Sequence, residues 1–149
     1  MKSSNLYVGF KGKYNSSFVL VNKFDGDNLF LTNSFAGLKK DIDNIKGNYS
    51  KIIMFGLDKN LSDTLRIESV AEKDNVICKT KINTAEIKNN LQKSSVNAVI
   101  SSKATHYLCN EAYFYMLKKF DGNAVFIHIP PIRFLTENLT DNILKALSG

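Results

Sequence analysis

Apolar residues fall into short runs separated by polar turns, and the spacing within each run predicts an element. Continuous or alternating runs of four to eight residues predict strands, while apolar residues recurring every three or four predict helices. Residues 6–10, Leu-Tyr-Val-Gly-Phe, read as a first strand. Asn15-Ser-Ser offers caps for a helix over 17–24, with Phe18, Leu20, Val21 and Phe24 apolar. Residues 28–32 give a short strand. Ser34 caps a helix reaching residue 45, whose Phe35, Leu38, Ile42 and Ile45 share a face. Residues 51–56, Lys-Ile-Ile-Met-Phe-Gly, read as a central strand, buried on both sides. Residues 65–71 alternate as a single strand carrying Glu68, and 76–82 form a further short strand. Thr84 is expected to cap a helix over 84–92, and Thr136 a final helix with Leu139, Ile143, Leu144 and Leu147 inward. Strands alternating with amphipathic helices predict a three-layer α/β/α domain with a mainly parallel central sheet.

The stretch 101–132 concentrates the chemistry. It leaves an apolar run at 97–101, read as a buried strand, and enters a helix over 107–120 with Leu108, Ala112, Tyr115, Met116 and Phe120 on one face. Asp121-Gly-Asn ends that helix. Residues 124–129 form a second buried strand, stopped by Pro130-Pro131. Strand, helix and strand read as one crossover between neighbouring parallel strands. Cys109 falls in the first turn of the helix, where free N–H groups and the helix dipole favour a thiolate. His128 falls near the carboxyl end of the next strand, the edge where α/β sheets usually bind ligands. Taken singly, such a cysteine is usually a small core hydrophobe and such a histidine a hydrogen-bonded core residue. Together they can form a thiol with its proton acceptor.

Here the residues resemble a known family. Cys109-Asn110 opening a helix, Phe114-Tyr115 following, and Phe126-Ile-His-Ile-Pro130 are similar to the nucleophile and histidine segments of the pyroglutamyl (pyrrolidone-carboxylate) peptidases. Gly9-Phe10 and Asn15-Ser-Ser17 resemble that family's first turn, without its two prolines and with a shorter loop. Glu68, Val70 and Ala71 resemble its glutamate-bearing strand, without the flanking Pro and Arg. The resemblance implies a phosphorylase/hydrolase-like fold filling 1–149 as one shortened, divergent domain. It implies Cys109 as nucleophile, His128 as base and Glu68 as a residue organising the site. It also implies a flat pocket for a lactam ring, walled in part by Phe10, Leu57 and Leu108. Lys13 stands where the family has a second aromatic, and Tyr14 is the neighbour able to refill that place. The family's Gly-Arg loop after the central strand is replaced by Asp58-Lys-Asn-Leu-Ser.

Composition narrows the classes. Hydrophobic residues make up 44% and charged residues 23%, ordinary values for a soluble globular protein. No run of about 18 apolar residues predicts a membrane span, and the first ten residues lack the apolar core of a signal peptide. The net charge of +6 is spread evenly, and Arg66 and Arg133 are the two arginines, so no nucleic-acid surface is expected. Cys78 and Cys109 make no CxxC pair, which fits a reducing cytoplasm, and no Cys/His/acid cluster has zinc spacing. No metal or cofactor is expected.

The reading is a cysteine-type omega peptidase that hydrolyses the amide after an N-terminal pyroglutamyl residue, its activity weakened by the lost loops. Its partner would be a small peptide with a blocked N-terminus, and the resemblance leaves a homo-oligomer open. Two alternatives stay open: a non-catalytic relative that binds a ligand or protein through the old pocket, and a thiol hydrolase of another small amide. His106, three residues before Cys109, is a second candidate base, a residue that crowds the pocket, or an exposed loop residue.

Overall fold

The computed structural model describes residues 5–148. Residues 1–4 and 149, part of the expected 1–149 domain and of the opening read as no signal peptide, lie outside the described residues. Among the described residues, eight strands and five α-helices follow one another: β1 (Asn5–Phe10), α1 (Ser16–Val21), β2 (Asp27–Leu31), α2 (Phe35–Asp43), β3 (Lys51–Leu57), β4 (Thr64–Glu68), β5 (Val70–Lys73), β6 (Val76–Lys79), α3 (Thr84–Lys93), β7 (Asn97–Ser101), α4 (Tyr107–Lys119), β8 (Ala124–Ile129) and α5 (Glu137–Leu147). Six strands form one sheet in the order β2-β1-β3-β8-β4-β7. Every neighbouring pair is parallel except β4 and β8. The architecture is the expected α/β fold with a mainly parallel sheet.

The period of two along the strands separates two cores. On one face Leu6, Val8, Phe10, Met54, Ala124 and Phe126 pack with Leu38 and Ile42 of α2 and with Ala112, Tyr113 and Met116 of α4. On the other, Tyr7, Ile53, Phe55, Val125, Ile127 and Ile129 meet Leu20 of α1, Leu91 of α3 and Ile143 of α5. β8 sends alternate residues into both cores and all six are buried. Each large side chain buried there contributes roughly 1.5–3 kcal/mol before conformational entropy is charged. The β8 segment is therefore fixed from both sides, and His128 with it.

Several sequence expectations are corrected. Residues 65–71 are not a single strand: the backbone turns away at Ser69, whose N–H donates to the Ser101 carbonyl. Beyond it β5 pairs with β6 in a separate antiparallel hairpin. β7 and β8 are not parallel neighbours, because β4 lies between them and runs against β8. β7 is an edge strand with Val99 46% and Ile100 39% exposed, not a buried one. The buried face of α4 carries Ala112, Tyr113, Met116 and Leu117, while Tyr115 and Phe120 lie at its margin. Asn83, one residue before Thr84, caps α3 by accepting from the Glu86 N–H.

Candidate active site

His128 and Glu68 come together because β8 and β4 are neighbours. In the β4–β8 ladder Arg66 lies opposite His128 and Glu68 opposite Phe126. Arg66, Glu68, Phe126 and His128 therefore point to one face of the sheet. The imidazole Nδ1 lies 2.8 Å from Glu68 Oε2, and both residues are buried. With Glu68 ionised, Nδ1–H donates to the carboxylate and Nε2 remains the free, basic nitrogen.

Cys109 reaches the same face through a gap in the next strand. Gly56 of β3 is in register with His128 of β8, and in-register neighbours of parallel strands send side chains to the same side. A Cβ at Gly56 would meet the Phe126 ring at 2.5 Å and Cys109 Sγ at 3.0 Å. The absent side chain is what lets the amino end of α4 settle onto β3. Adjacent strands are about 4.8 Å apart, so the sulfur sits over the strand next to the one that carries His128, on the same face. Cys109 and His128 thus come to the same sheet face without the expected parallel crossover.

The amino end of α4 differs from the others. Asn15, Ser34, Asn83 and Thr136 each cap their helix with a side-chain acceptor. His106 holds the N-cap position of α4 and makes no side-chain cap hydrogen bond. It lies exposed, and Tyr107 after it has φ 76°, an uncommon conformation for a bulky residue. The first-turn N–H groups around Cys109 are free of a side-chain acceptor and can meet a developing negative charge.

The electrostatics around Cys109 oppose the expected thiolate. Burial pushes the Cys109 thiol up to about 12, the charges of Glu68 and Asp58 add to the rise, and Arg66 opposes it. Even in a partly buried geometry a helix N-terminus contributes up to about 2 kcal/mol, about one and a half pKa units, and does not offset that. The surroundings of Cys109 favour the protonated thiol.

The expected pocket residues are spread more widely. Phe10 is buried at the end of β1, its ring tilted against Phe126 at 6.4 Å, and the Phe126 ring lies 4.8 Å from His128. Leu57 ends β3, one residue beyond Gly56, and pairs with Ile129. Leu108 is partly buried against the core beneath α4. Tyr14 is 78% exposed with Lys13 Nζ 5.1 Å from its ring centroid, so the described structure does not bring it to Cys109.

Sequence reasoning missed Arg66 and Asp58. Arg66 Nε donates to Glu68 Oε2 at 2.6 Å, and its Nη2 lies 2.9 Å from Asp58 Oδ2. The signal was present: residues two apart on a strand share a face, so Arg66 had to flank Glu68. Tyr113 was also missed; its hydroxyl donates to the Glu68 carbonyl at 2.7 Å and fixes the strand end that holds the carboxylate.

No family model and no curated protein matches the chain by sequence. Solved structures do match. A pyrrolidone carboxyl peptidase from Fervidobacterium islandicum AW-1 superposes with a TM-score of 0.77 at 20% identity, covering 98% of this chain and 95% of that one. The enzyme of that name from Thermus thermophilus gives 0.77 at 16% identity, covering 96% and 98%. Pyroglutamyl peptidase I from Bacillus amyloliquefaciens gives 0.77 at 20%, covering 99% and 92%. The chain therefore has the fold of the pyrrolidone carboxyl peptidases over nearly its whole described length.

Proposed function

We propose that the chain is a cysteine-type omega peptidase that removes an N-terminal pyroglutamyl residue from a small peptide. The observation that carries this reading is the single sheet face on which Glu68 holds His128 Nδ1 at 2.8 Å while Cys109 Sγ fills the space left by Gly56 beside His128. The fold shared with the pyrrolidone carboxyl peptidases supports the substrate.

The chemistry follows from the resting thiol. His128 Nε2 takes the Sγ proton as sulfur attacks the amide carbon, and the oxyanion that forms meets the uncapped N–H groups at the start of α4. The imidazolium, steadied by Glu68, gives its proton to the leaving amine as the C–N bond breaks. A water then attacks the thioester and gives a proton to His128, which passes it to the departing sulfur as the S–C bond breaks and pyroglutamic acid leaves. Phe10, acting through Phe126, and Leu57 and Leu108 supply apolar walls for the ring. The gap at Lys13, with Tyr14 in solvent, lowers the affinity for it. Losing one aromatic contact removes roughly 1.5–3 kcal/mol of burial, about ten- to a hundredfold or more in binding. Two unpaired cysteines fit a reducing, cytoplasmic setting.

The test is hydrolysis of a fluorogenic pyroglutamyl amide by purified protein, beside acetyl and prolyl amides of the same dye. Slow release from the pyroglutamyl amide alone is expected. Equal or faster release from another amide would move the substrate to a different acyl group, and no release from any would remove the peptidase reading.

A further inference from the structure

Glu68 Oε2 accepts two hydrogen bonds, from His128 Nδ1 at 2.8 Å and from Arg66 Nε at 2.6 Å, while Oε1 is buried without a hydrogen-bond partner among the described residues. The guanidinium is held at its far end by Asp58. Asp58 is itself fixed: its N–H donates to the Ile129 carbonyl and its side chain accepts the Asn60 N–H at 2.9 Å. An ion pair between residues two apart on one strand does nothing to join strands. Arg66 also keeps a quarter of its side chain in solvent, on the face that holds Cys109 and His128.

We propose that Arg66, anchored by Asp58, is a positioning residue that sets the charge balance around the Cys109–His128 pair. The proposal deepens the function proposed above and rests on Cys109 being its nucleophile. Two carboxylates, Asp58 and Glu68, face one guanidinium, so with neutral imidazole the group carries one excess negative charge. When His128 holds the Cys109 proton, guanidinium and imidazolium balance the two carboxylates, and the one remaining negative charge rests on sulfur or, after attack, on the oxyanion. The arrangement favours the state in which the imidazole is protonated, which is the state that follows thiol attack. Arg66 keeps the carboxylates from suppressing the thiolate and fixes the Glu68 oxygen that selects the His128 tautomer. The charged and titratable groups facing this pair are Arg66 and Glu68 from β4, Asp58 from the turn after β3, and the Tyr113 hydroxyl from α4. The opposite effects of Arg66 and of the two carboxylates on the thiol agree with this geometry.

Charge balance predicts shifts of opposite sign, which a purely structural ion pair does not. The measurement is the iodoacetamide alkylation rate of Cys109 against pH, with Cys78 in the same molecule as control. Arg66→Met should slow Cys109 about threefold to tenfold at a given pH, and Asp58→Asn should speed it by a similar factor, as half to one pKa unit of thiolate population gives. Cys78 should not change. In Arg66→Met the ring ¹⁵N signals of His128 should also lose their single-tautomer pattern. Rates that move in the same direction in both variants, as loosened packing would give, overturn the proposal, and so do unchanged rates. Should Arg66→Met not fold, Asp58→Asn decides: faster Cys109 with unchanged Cys78 supports the proposal, and slower or unchanged Cys109 overturns it. Opposite shifts in a protein that releases no pyroglutamyl group support the charge balance while removing the peptidase reaction.

Discussion

Glu68 and His128 lie 1% and 4% exposed on neighbouring strands, tied by a hydrogen bond, whereas Tyr14 lies 78% exposed in the loop after β1. The first pair belongs to strands whose other residues fill two cores, so moving either side chain would disturb the sheet. The loop has no such constraint: Gly12 turns at φ 127°, Lys13 and Tyr14 reach into solvent, and Asn15 closes it by capping α1. Side chains built into strands that fill two cores are held by the sheet, and the fold they belong to is shared at 20% identity. Recognition built into a loop is free to drift. The difference teaches that the sheet constrains Glu68 and His128 far more than it constrains the loop that carries Lys13 and Tyr14.

The sharpest way to break this comparison is to remove the proposed reacting groups, His128 and Glu68 on strands and Cys109 at the start of α4. Cys109→Ala should abolish turnover of a pyroglutamyl amide, and His128→Ala should lower kcat about 10²–10⁴-fold, the usual worth of general acid–base help. Glu68→Gln should cost less, since it orients the base without making or breaking a bond. Full activity in Cys109→Ala ends the account, and an inactive His106→Ala beside an active His128→Ala hands the base to His106.

Gly56→Ala tests whether the sulfur is seated where the geometry places it. The new methyl would stand 2.5 Å from the Phe126 ring and 3.0 Å from Cys109 Sγ, so ring and sulfur must both give way. A stability loss of about 1–3 kcal/mol in urea unfolding is expected, together with a drop in kcat exceeding the fraction unfolded. Unchanged stability and activity would mean that α4 does not pack on β3 as described.

The buried thiol also makes a pH signature. Its pKa is raised in the folded state to about 12, above an unfolded value of about 8.5. The protonated form is the one folding favours, so this contribution is complete below about pH 8.5 and is lost as pH rises towards 12. Wild type should therefore lose stability faster than Cys109→Ala across that window. Parallel curves would show that burial does not hold the proton on sulfur.

The loop should respond least. Tyr14→Ala is expected to leave stability within about 0.5 kcal/mol, as exposed positions usually do, and, with its ring in solvent, to leave kcat and KM unchanged. A fall in kcat as large as that of Glu68→Gln would erase the distinction between strand and loop.

The sequence made the elements legible where pattern and burial coincide. Residues 124–129 are apolar on both faces because β8 is covered on both, and Ser34 and Thr136 sit at their helix starts as their side chains require. It could not show strand order. Periodicity says which residues share a face but not which strand lies alongside, so β4 between β7 and β8 was invisible. Val99 and Ile100 look like core residues in a run of apolar letters and lie exposed because β7 is an edge. Arg66 was readable from its spacing to Glu68, but Asp58 reaches it only through the turn after β3, which no local pattern reveals. The cysteine's position was legible and its ionisation was not, since burial of Sγ over Gly56 is a tertiary property.

Covalent capture tests the central claim most directly. Pyroglutamyl chloromethyl ketone places the lactam in the pocket and an alkylating carbon at the nucleophile, and the adduct can be located by peptide mass spectrometry. The account predicts one adduct on Cys109, none on Cys78, protection by excess pyroglutamyl peptide, and much slower labelling in His128→Ala. Labelling spread equally over both cysteines, or labelling of Cys109 untouched by the loss of His128, would contradict it.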